Sequence, residues 1–263
     1  MRTIPNIKLT TQELQQILNS SITSGGEGII CKSNSNNTAY KIFINPKTEE
    51  VIPMLENKQR KIIRQCEQPL EYAVRPISTI STEDYIIGYE MEYDEKERPL
   101  EALTPPRIEL IDYLKEIKKA LEYFQSKDII YGDIKASNIL VNRQNGQVRF
   151  CDMDNIAYRE LPIDLVPYDL GCYKHEHGCI DDLSHAYFHN LLSIEQLLIK
   201  GVNYQDILYK LSTGAKPKGF KKTANPIFES MVRAENFTGE YAIDHVKKKD
   251  IRIDKTRNWK GWF

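Results

Sequence analysis

The sequence predicts an α+β protein: a small antiparallel β lobe with one helix, joined to a larger, mainly α-helical lobe. Three observations lead there. Short apolar runs separated by turn residues fill the chain as far as Tyr93. From about Arg107 the apolar period lengthens to three or four residues. A length of 263 residues suits one domain of two lobes or two small domains. The seam is expected between Glu92 and Thr104, dividing the chain into residues 1–91 and 92–263.

Taken in order, Thr10 and Glu13 have capping-box spacing ahead of Leu14, Ile17 and Leu18, so a short helix opens the chain. Three strands follow, at Ile22–Thr23, Ile29–Cys31 and Ala39–Ile44, the first two joined by the turn Ser24-Gly25-Gly26-Glu27-Gly28. Pro53 suits a first-turn position, which predicts a helix from there to Ile63. Two more strands are expected, Ala73–Thr79 and Tyr85–Tyr93. Leu110, Ile111, Leu114, Ile117, Leu121 and Phe124 then mark a long amphipathic helix over about Arg107 to Ser126. Behind it come apolar runs at Ile129–Tyr131, Ile139–Val141 and Val148–Cys151, the last two joined through Asn145-Gly146. Helical spacing returns from Asp181 to Ile199.

Composition narrows the function classes. With 41% apolar and 28% charged residues the chain has material for a core. Its 36 Lys and Arg against 37 Asp and Glu provide no global field for nucleic acid or an anionic membrane. No apolar run approaches the roughly 18 residues of a membrane span, and five cysteines without paired spacing argue against a disulfide framework. A cytoplasmic protein with reduced thiols is expected.

Three features carry chemistry. The glycine-rich turn lets backbone N–H groups approach a polyphosphate, although alone it reads as an ordinary hairpin turn. Lys41, on a strand with small Ala39 two residues earlier on the same face, could neutralise phosphate while leaving room for a flat base. Alone it reads as a solvent-facing strand lysine. Tyr131-Gly132-Asp133-Ile134-Lys135-Ala136-Ser137-Asn138, followed by Cys151-Asp152-Met153-Asp154, sets a carboxylate, a cation and an amide in one loop, with more carboxylates after the next strand pair. Phosphoryl transfer needs that combination: a carboxylate to orient a hydroxyl, a lysine for developing charge and oxygen ligands for magnesium.

In that order, from about Ile22 to Ile199, these residues resemble the eukaryotic-type protein kinase superfamily, which implies a bilobal fold using ATP and Mg2+. Gly26, Gly28 and Ile30 resemble the glycine-rich loop and the residue over adenine; Ala39 and Lys41 resemble the strand that supplies the phosphate-binding lysine. Met91, Glu92 and Tyr93 resemble the gatekeeper and hinge, whose backbone would pair with the adenine edge. By the same resemblance Asp133 is the substrate base, Lys135 the γ-phosphate lysine, Leu140 the adenine floor, and Asn138 and Asp152 the metal ligands. Glu56 is chosen as the helix partner of Lys41 over Glu49 and Glu50, which precede Pro53.

The sequence departs from the family in places. His-Arg-Asp becomes Tyr131-Gly132-Asp133, and no Ser or Thr lies between Ser137 and Ser184, so activation by Ser/Thr phosphorylation there is excluded. Tyr158, Tyr168 and Tyr173 remain. Asp152-Met153-Asp154 replaces a glycine by a further carboxylate, Asp154, expected to be an additional metal ligand. Val166-Pro167-Tyr168 is the nearest approach to Ala-Pro-Glu, and Asp181 is the expected anchor of the catalytic loop. A Ser/Thr protein substrate is expected. The alternatives are a small-molecule kinase of the aminoglycoside or choline type, which Gly132 before Asp133 resembles, and a pseudokinase binding module. Cys172, His175, His177 and Cys179 are spaced too tightly for the usual structural zinc site, and His185 and His189 read as ordinary helix residues. The basic, aromatic tail from Lys247 to Phe263 reads as a docked end or as a partner-binding segment.

Overall fold

Thr10 forms the capping box expected of it: its hydroxyl accepts the Glu13 amide at 3.3 Å, and the Glu13 carboxylate accepts the Thr10 amide at 2.8 Å. This starts helix α1 (Thr11–Leu18) in the computed structural model, which describes residues 4–25, 27–33, 37–103, 107–158, 160–161, 182–197 and 239–246. Leu14, Ile17 and Leu18 of α1 pack on Leu9, Ile42, Ile80 and Ile87. Ile42 alternates with Lys41 along its strand, so α1 covers the sheet face opposite to that lysine.

The sheet has six strands, β1 (Asn6–Lys8), β2 (Ser21–Ser24), β3 (Gly28–Lys32), β4 (Thr38–Phe43), β5 (Pro76–Ser81) and β6 (Ile86–Glu92), in the order β1-β5-β6-β4-β3-β2. Every neighbouring pair is antiparallel except β1 with β5, which is parallel. One feature differs from the sequence expectation: the three-residue β1 is too short and too polar to show a period. Gly88 of β6 has a packing reason: a Cβ there would lie 2.1 Å from the Lys41 carbonyl oxygen.

Helix α2 (Glu56–Glu67) starts three residues later than Pro53 implied. The Ile52 and Met54 amides donate to the Phe43 and Ile86 carbonyls at 3.0 and 2.8 Å, and Val51 bridges Ile44, which keeps this segment extended beside the sheet. Backbone pairing overrides the helix-starting preference of the proline. Ile62 then sets α2 against Phe43, Met54 and Tyr89 on the Lys41 face.

The second lobe is built on α3 (Arg107–Ser126), whose Leu110, Leu114, Ile117, Leu121 and Phe124 are buried as the periodicity requires. Two strands too short to show a pattern in the sequence belong to this lobe. One is β7 (Glu97–Pro99), which precedes α3. Strand β8 (Ile129–Tyr131) follows the helix, then the hairpin β9 (Ile139–Asn142) and β10 (Gln147–Phe150), which turns through Gly146 at φ 74°. The other is β11 (Ile156–Tyr158); β7 joins β9, and β11 joins β8. The Phe150 ring stands edge-on to Phe124 and Tyr131, at centroid distances of 5.4 and 4.7 Å. Helix α4 (Asp182–Leu197) packs on α3. Among the described residues no helix is long and apolar enough to cross a membrane. Gly26, the segment around Val166, Tyr168, Cys172 and His175, the expected anchor Asp181, and the tail from Lys247 lie outside the described residues.

His185 and His189 are both buried in α4. His185 Nε2 accepts the Tyr131 amide at 2.9 Å, and His189 Nε2 lies 2.7 Å from the Leu114 carbonyl oxygen. Burial pushes both imidazoles down to about 4. In the unfolded chain each titrates near its ordinary 6.5, so between about 4 and 6.5 the unfolded state binds more protons. Their contribution to stability is therefore full above pH 6.5 and is lost as pH falls toward 4. Thermal midpoints should drop on going from neutral to mildly acid buffer, with a shallower slope in His185→Asn, which keeps an acceptor and removes the titration. An identical slope would rule this source out. Gly88→Ala should cost about 1–3 kcal/mol in urea unfolding, the usual range for overpacking, and a silent substitution would show that β4 and β6 part freely.

Candidate active site

Pairing across β3, β4 and β6 decides which side chains share a face. Ile30 stands opposite Lys41, Lys41 opposite Tyr89, and Ala39 opposite Met91. Directly paired residues project to the same side. Gly28, Ile30, Ala39, Lys41, Tyr89 and Met91 therefore line one face. At Gly28 a Cβ would come within 2.8 Å of the Ile42 carbonyl oxygen, so the strand after the turn accepts no side chain there.

Lys41 is buried, with its side chain 5% exposed, and its Nζ donates to Asp152 Oδ1 at 2.6 Å and Asp154 Oδ1 at 2.7 Å. The helix partner expected from the sequence is corrected by this geometry. Glu56 is exposed at the first turn of α2 and pairs with Arg60, away from Lys41. The α2 residue that turns inward is Lys58, whose Nζ donates to Asp154 Oδ2 at 2.9 Å, Glu27 Oε2 at 2.6 Å and Asn155 Oδ1 at 3.2 Å. Three acceptors match the three protons of an ammonium group.

Asp154 is fully buried, and the Tyr89 hydroxyl adds a third bond to it, to Oδ1 at 3.0 Å. With both oxygens committed to two lysines and a phenol, it is a counter-ion rather than the metal ligand expected from the sequence. Burial alone would raise its carboxyl; Lys41 and Lys58 outweigh that and hold it well below the usual carboxylate range. Burial alone would likewise lower Lys41, but Asp154, followed by Tyr89 and Asp152, keeps its pKa well above the ordinary lysine value. Beneath both ammonium groups lies the Phe43 ring, its centroid 5.2 Å from Lys41 Nζ and 5.3 Å from Lys58 Nζ.

Asp152 sits at φ 58°, a left-handed conformation uncommon for a non-glycine residue. It leads into a 3-10 turn, Met153–Asn155, that buries Met153 and Asp154. The Gln65 side-chain amide fastens this turn to α2 by donating to the Met153 carbonyl at 2.9 Å. The Asp152 side chain stays about one-third exposed.

The loop after β8 brings Asp133, Lys135 and Asn138 together. Asp133 Oδ2 accepts from Asn138 Nδ2 at 2.7 Å and pairs with Lys135 Nζ at 2.7 Å. A 3-10 turn at Ala136–Asn138 sets the amide, and the Cys151 amide donating to the Asn138 carbonyl at 3.0 Å ties the loop to the end of β10. The Tyr131 hydroxyl donates to the Cys151 carbonyl at 2.6 Å, closing the same connection. His185 anchors Tyr131 from α4, a role that its helical spacing with His189 did not reveal.

At the end of β6 the Glu92 and Tyr93 amides donate to the Arg75 and Asn37 carbonyls at 3.0 and 2.8 Å. These two donors are occupied, which narrows the backbone pairing expected of the Met91–Tyr93 segment to its other groups. Arg149 of β10 grips the segment, with Nε and Nη2 on Glu97 at 2.7 and 2.8 Å and Nη1 on Glu92 at 2.7 Å. Leu140 of β9 is partly exposed beside it.

Sequence spacing did not single out Lys58, Tyr89, Arg149 or His185. The structure places Lys58 with Lys61, Ile62 and Gln65 on the buried side of α2, a mostly polar set with no apolar period to mark it.

The chain is similar in sequence to known protein kinases. The chain is 25% identical over 138 residues to the mitogen-activated protein kinase hog1 of Botryotinia fuckeliana, covering 49% of this chain and 37% of that one. It is 24% identical over 211 residues to a probable cyclin-dependent kinase 10 of Dictyostelium discoideum, covering 73% and 57%. To mitogen-activated protein kinase 11 of Oryza sativa subsp. japonica it is 23% identical over 155 residues, covering 54% and 26%. The chain thus spans about a third of the length of the first of these relatives. The profile of the protein kinase domain matches residues 21–158, from β2 through β11 and so across both halves of the site, and the chain belongs to the protein kinase family.

Proposed function

We propose that the chain is a magnesium-dependent ATP phosphotransferase acting on Ser or Thr hydroxyls of a protein substrate, its two lobes being residues 1–91 and 92–263. The observation that carries this reading is the Asp133 carboxylate held by the Asn138 amide and the Lys135 ammonium in one loop. A carboxylate fixed in that way can orient a hydroxyl and accept its proton, while Lys135 meets charge developing on the transferred phosphoryl. Lys41 is the cation for the α and β phosphates. Gly28, Ile30, Ala39, Met91 and Leu140 surround the base.

The donor set suits magnesium, which takes oxygen ligands and is commonly held by one or two protein groups together with substrate phosphates. Asn138 commits its N–H to Asp133, so its amide oxygen is the end left for a metal, and the exposed edge of Asp152 supplies the carboxylate. When bound, the ion neutralises phosphate charge. Reduced Cys31, Cys66 and Cys151 fit a cytoplasmic setting, and the lack of Ser and Thr between Ser137 and Ser184 fits a kinase that needs no phosphorylation on those residue types there.

Purified protein incubated with γ-labelled ATP, magnesium and a generic basic protein should label the protein. Asp133→Asn should reduce transfer by about a hundredfold or more while nucleotide affinity stays near wild type; lost affinity would remove Asp133 from the base role. Asp152→Ala should abolish the magnesium dependence of nucleotide binding. Label appearing only on a small hydroxylated metabolite would favour the second reading, a small-molecule kinase, for which Gly132 before Asp133 speaks. Glu56→Ala, at an exposed residue that does not touch Lys41, should leave turnover and nucleotide affinity unchanged, and a large fall in either would restore it as the helix partner.

A further inference from the structure

We propose that Asp154 is the positioning residue of the phosphate-binding Lys41, a carboxylate supplied from the turn after β10 in place of one from α2, and that Lys58 braces it against α2 and the glycine-rich turn. This rests on the phosphotransferase reading of the same site. Five charged groups alternate in sign along a continuous path: Glu27, Lys58, Asp154, Lys41 and Asp152, with separations of 2.6, 2.9, 2.7 and 2.6 Å. The three central groups are nearly or wholly buried, at 4%, 0% and 5% side-chain exposure, and the two ends reach solvent at 41% and 32%.

The geometry assigns separate tasks along this path. Asp152 must remain free to meet a metal, so it cannot by itself fix the lysine throughout a catalytic cycle. Asp154 can, because no solvent reaches it and Tyr89 holds Oδ1 from β6 while Lys58 holds Oδ2 from α2. Lys58 faces a carboxylate where a glutamate would have faced Lys41, so a helix glutamate and Asp154 would compete for one lysine. Inverting the charge on α2 goes with moving the carboxylate to position 154. By gripping Glu27 as well, Lys58 ties the turn between β2 and β3 to the same assembly.

Asp154→Asn alone leaves two buried ammonium groups facing a neutral amide and is expected to unfold early. The informative variant is the charge-balanced pair Asp154→Asn with Lys58→Met, compared with the wild type and each single change. Binding of a fluorescent ATP analogue, steady-state turnover and thermal melting are read on all four. The double variant should melt close to wild type, yet bind nucleotide about tenfold more weakly, as for a lost charge-assisted contact, and turn over on the order of a hundredfold more slowly.

Wild-type affinity and turnover in the double variant would overturn the proposal, showing that Asp154 serves only to neutralise Lys58. A wild type that binds no nucleotide would overturn the phosphotransferase reading and this inference together. Should the double variant not fold, Tyr89→Phe decides. Removing only the phenol bond to Asp154 should weaken nucleotide binding several-fold with little change in melting, and unchanged binding would count against the proposal.

Discussion

A single buried carboxylate, Asp154, holds two buried lysines that would otherwise repel each other, and the site between the lobes is arranged around it. Burying an ion is costly unless opposite charge and hydrogen bonds surround it, and removing one partner of a buried pair typically costs about 3–5 kcal/mol. Here every interior charge has an opposite charge on both sides, and only the ends of the series touch water. Phe43 and Tyr89 complete the enclosure, one offering its ring face to both ammonium groups and the other its hydroxyl to the carboxylate. Three distant chain segments are thereby fixed relative to one another: the strand with Lys41, the helix with Lys58 and the turn with Asp154.

The backbone explains how position 154 reaches that point. Strands β8 and β11 are antiparallel, with Ile156 opposite Tyr131. Asp133 lies two residues beyond Tyr131 and Asp154 two residues before Ile156, so both leave the two-stranded sheet at the same end. That shared exit brings the Asp133 loop and the buried counter-ion under common control. From below, His185 holds the Tyr131 amide; from above, Gln65 holds the Met153 carbonyl. A shift of either strand would move both carboxylates at once.

What the sequence disclosed follows from how local each feature is. The Thr10 cap spans four residues, the α3 period repeats along one helix, and Asp133, Lys135 and Asn138 fall within six, so each could be read from spacing alone. The failures are long-range. Lys58 and Asp154 lie 96 positions apart, and nothing near Glu56 says which charged residue of α2 turns inward. Pro53 carried a correct local preference that the bonds of Ile52 and Met54 to the sheet overrode. The clue to the network lay at Asp154 itself. A further carboxylate where the family pattern has glycine must find a cation once buried, and Lys58 stands on the α2 face that carries Ile62 into the core.

The same arrangement bears on how such a site is held in one conformation. A phosphate added to an activation segment brings negative charge of about two units that can order neighbouring groups through nearby cations. Asp154 brings one negative charge that is present from the moment of folding, already paired with two lysines and screened from solvent. Glycine at that position would permit the backbone to turn; an aspartate bonded on both oxygens resists it, since any rotation takes from two buried ammonium groups the carboxylate they share. On the proposed reading, the order that a modification supplies elsewhere is here built into the packing of β4, α2 and the turn after β10, and the absence of Ser and Thr from Asn138 to Leu183 is the sequence counterpart of that design.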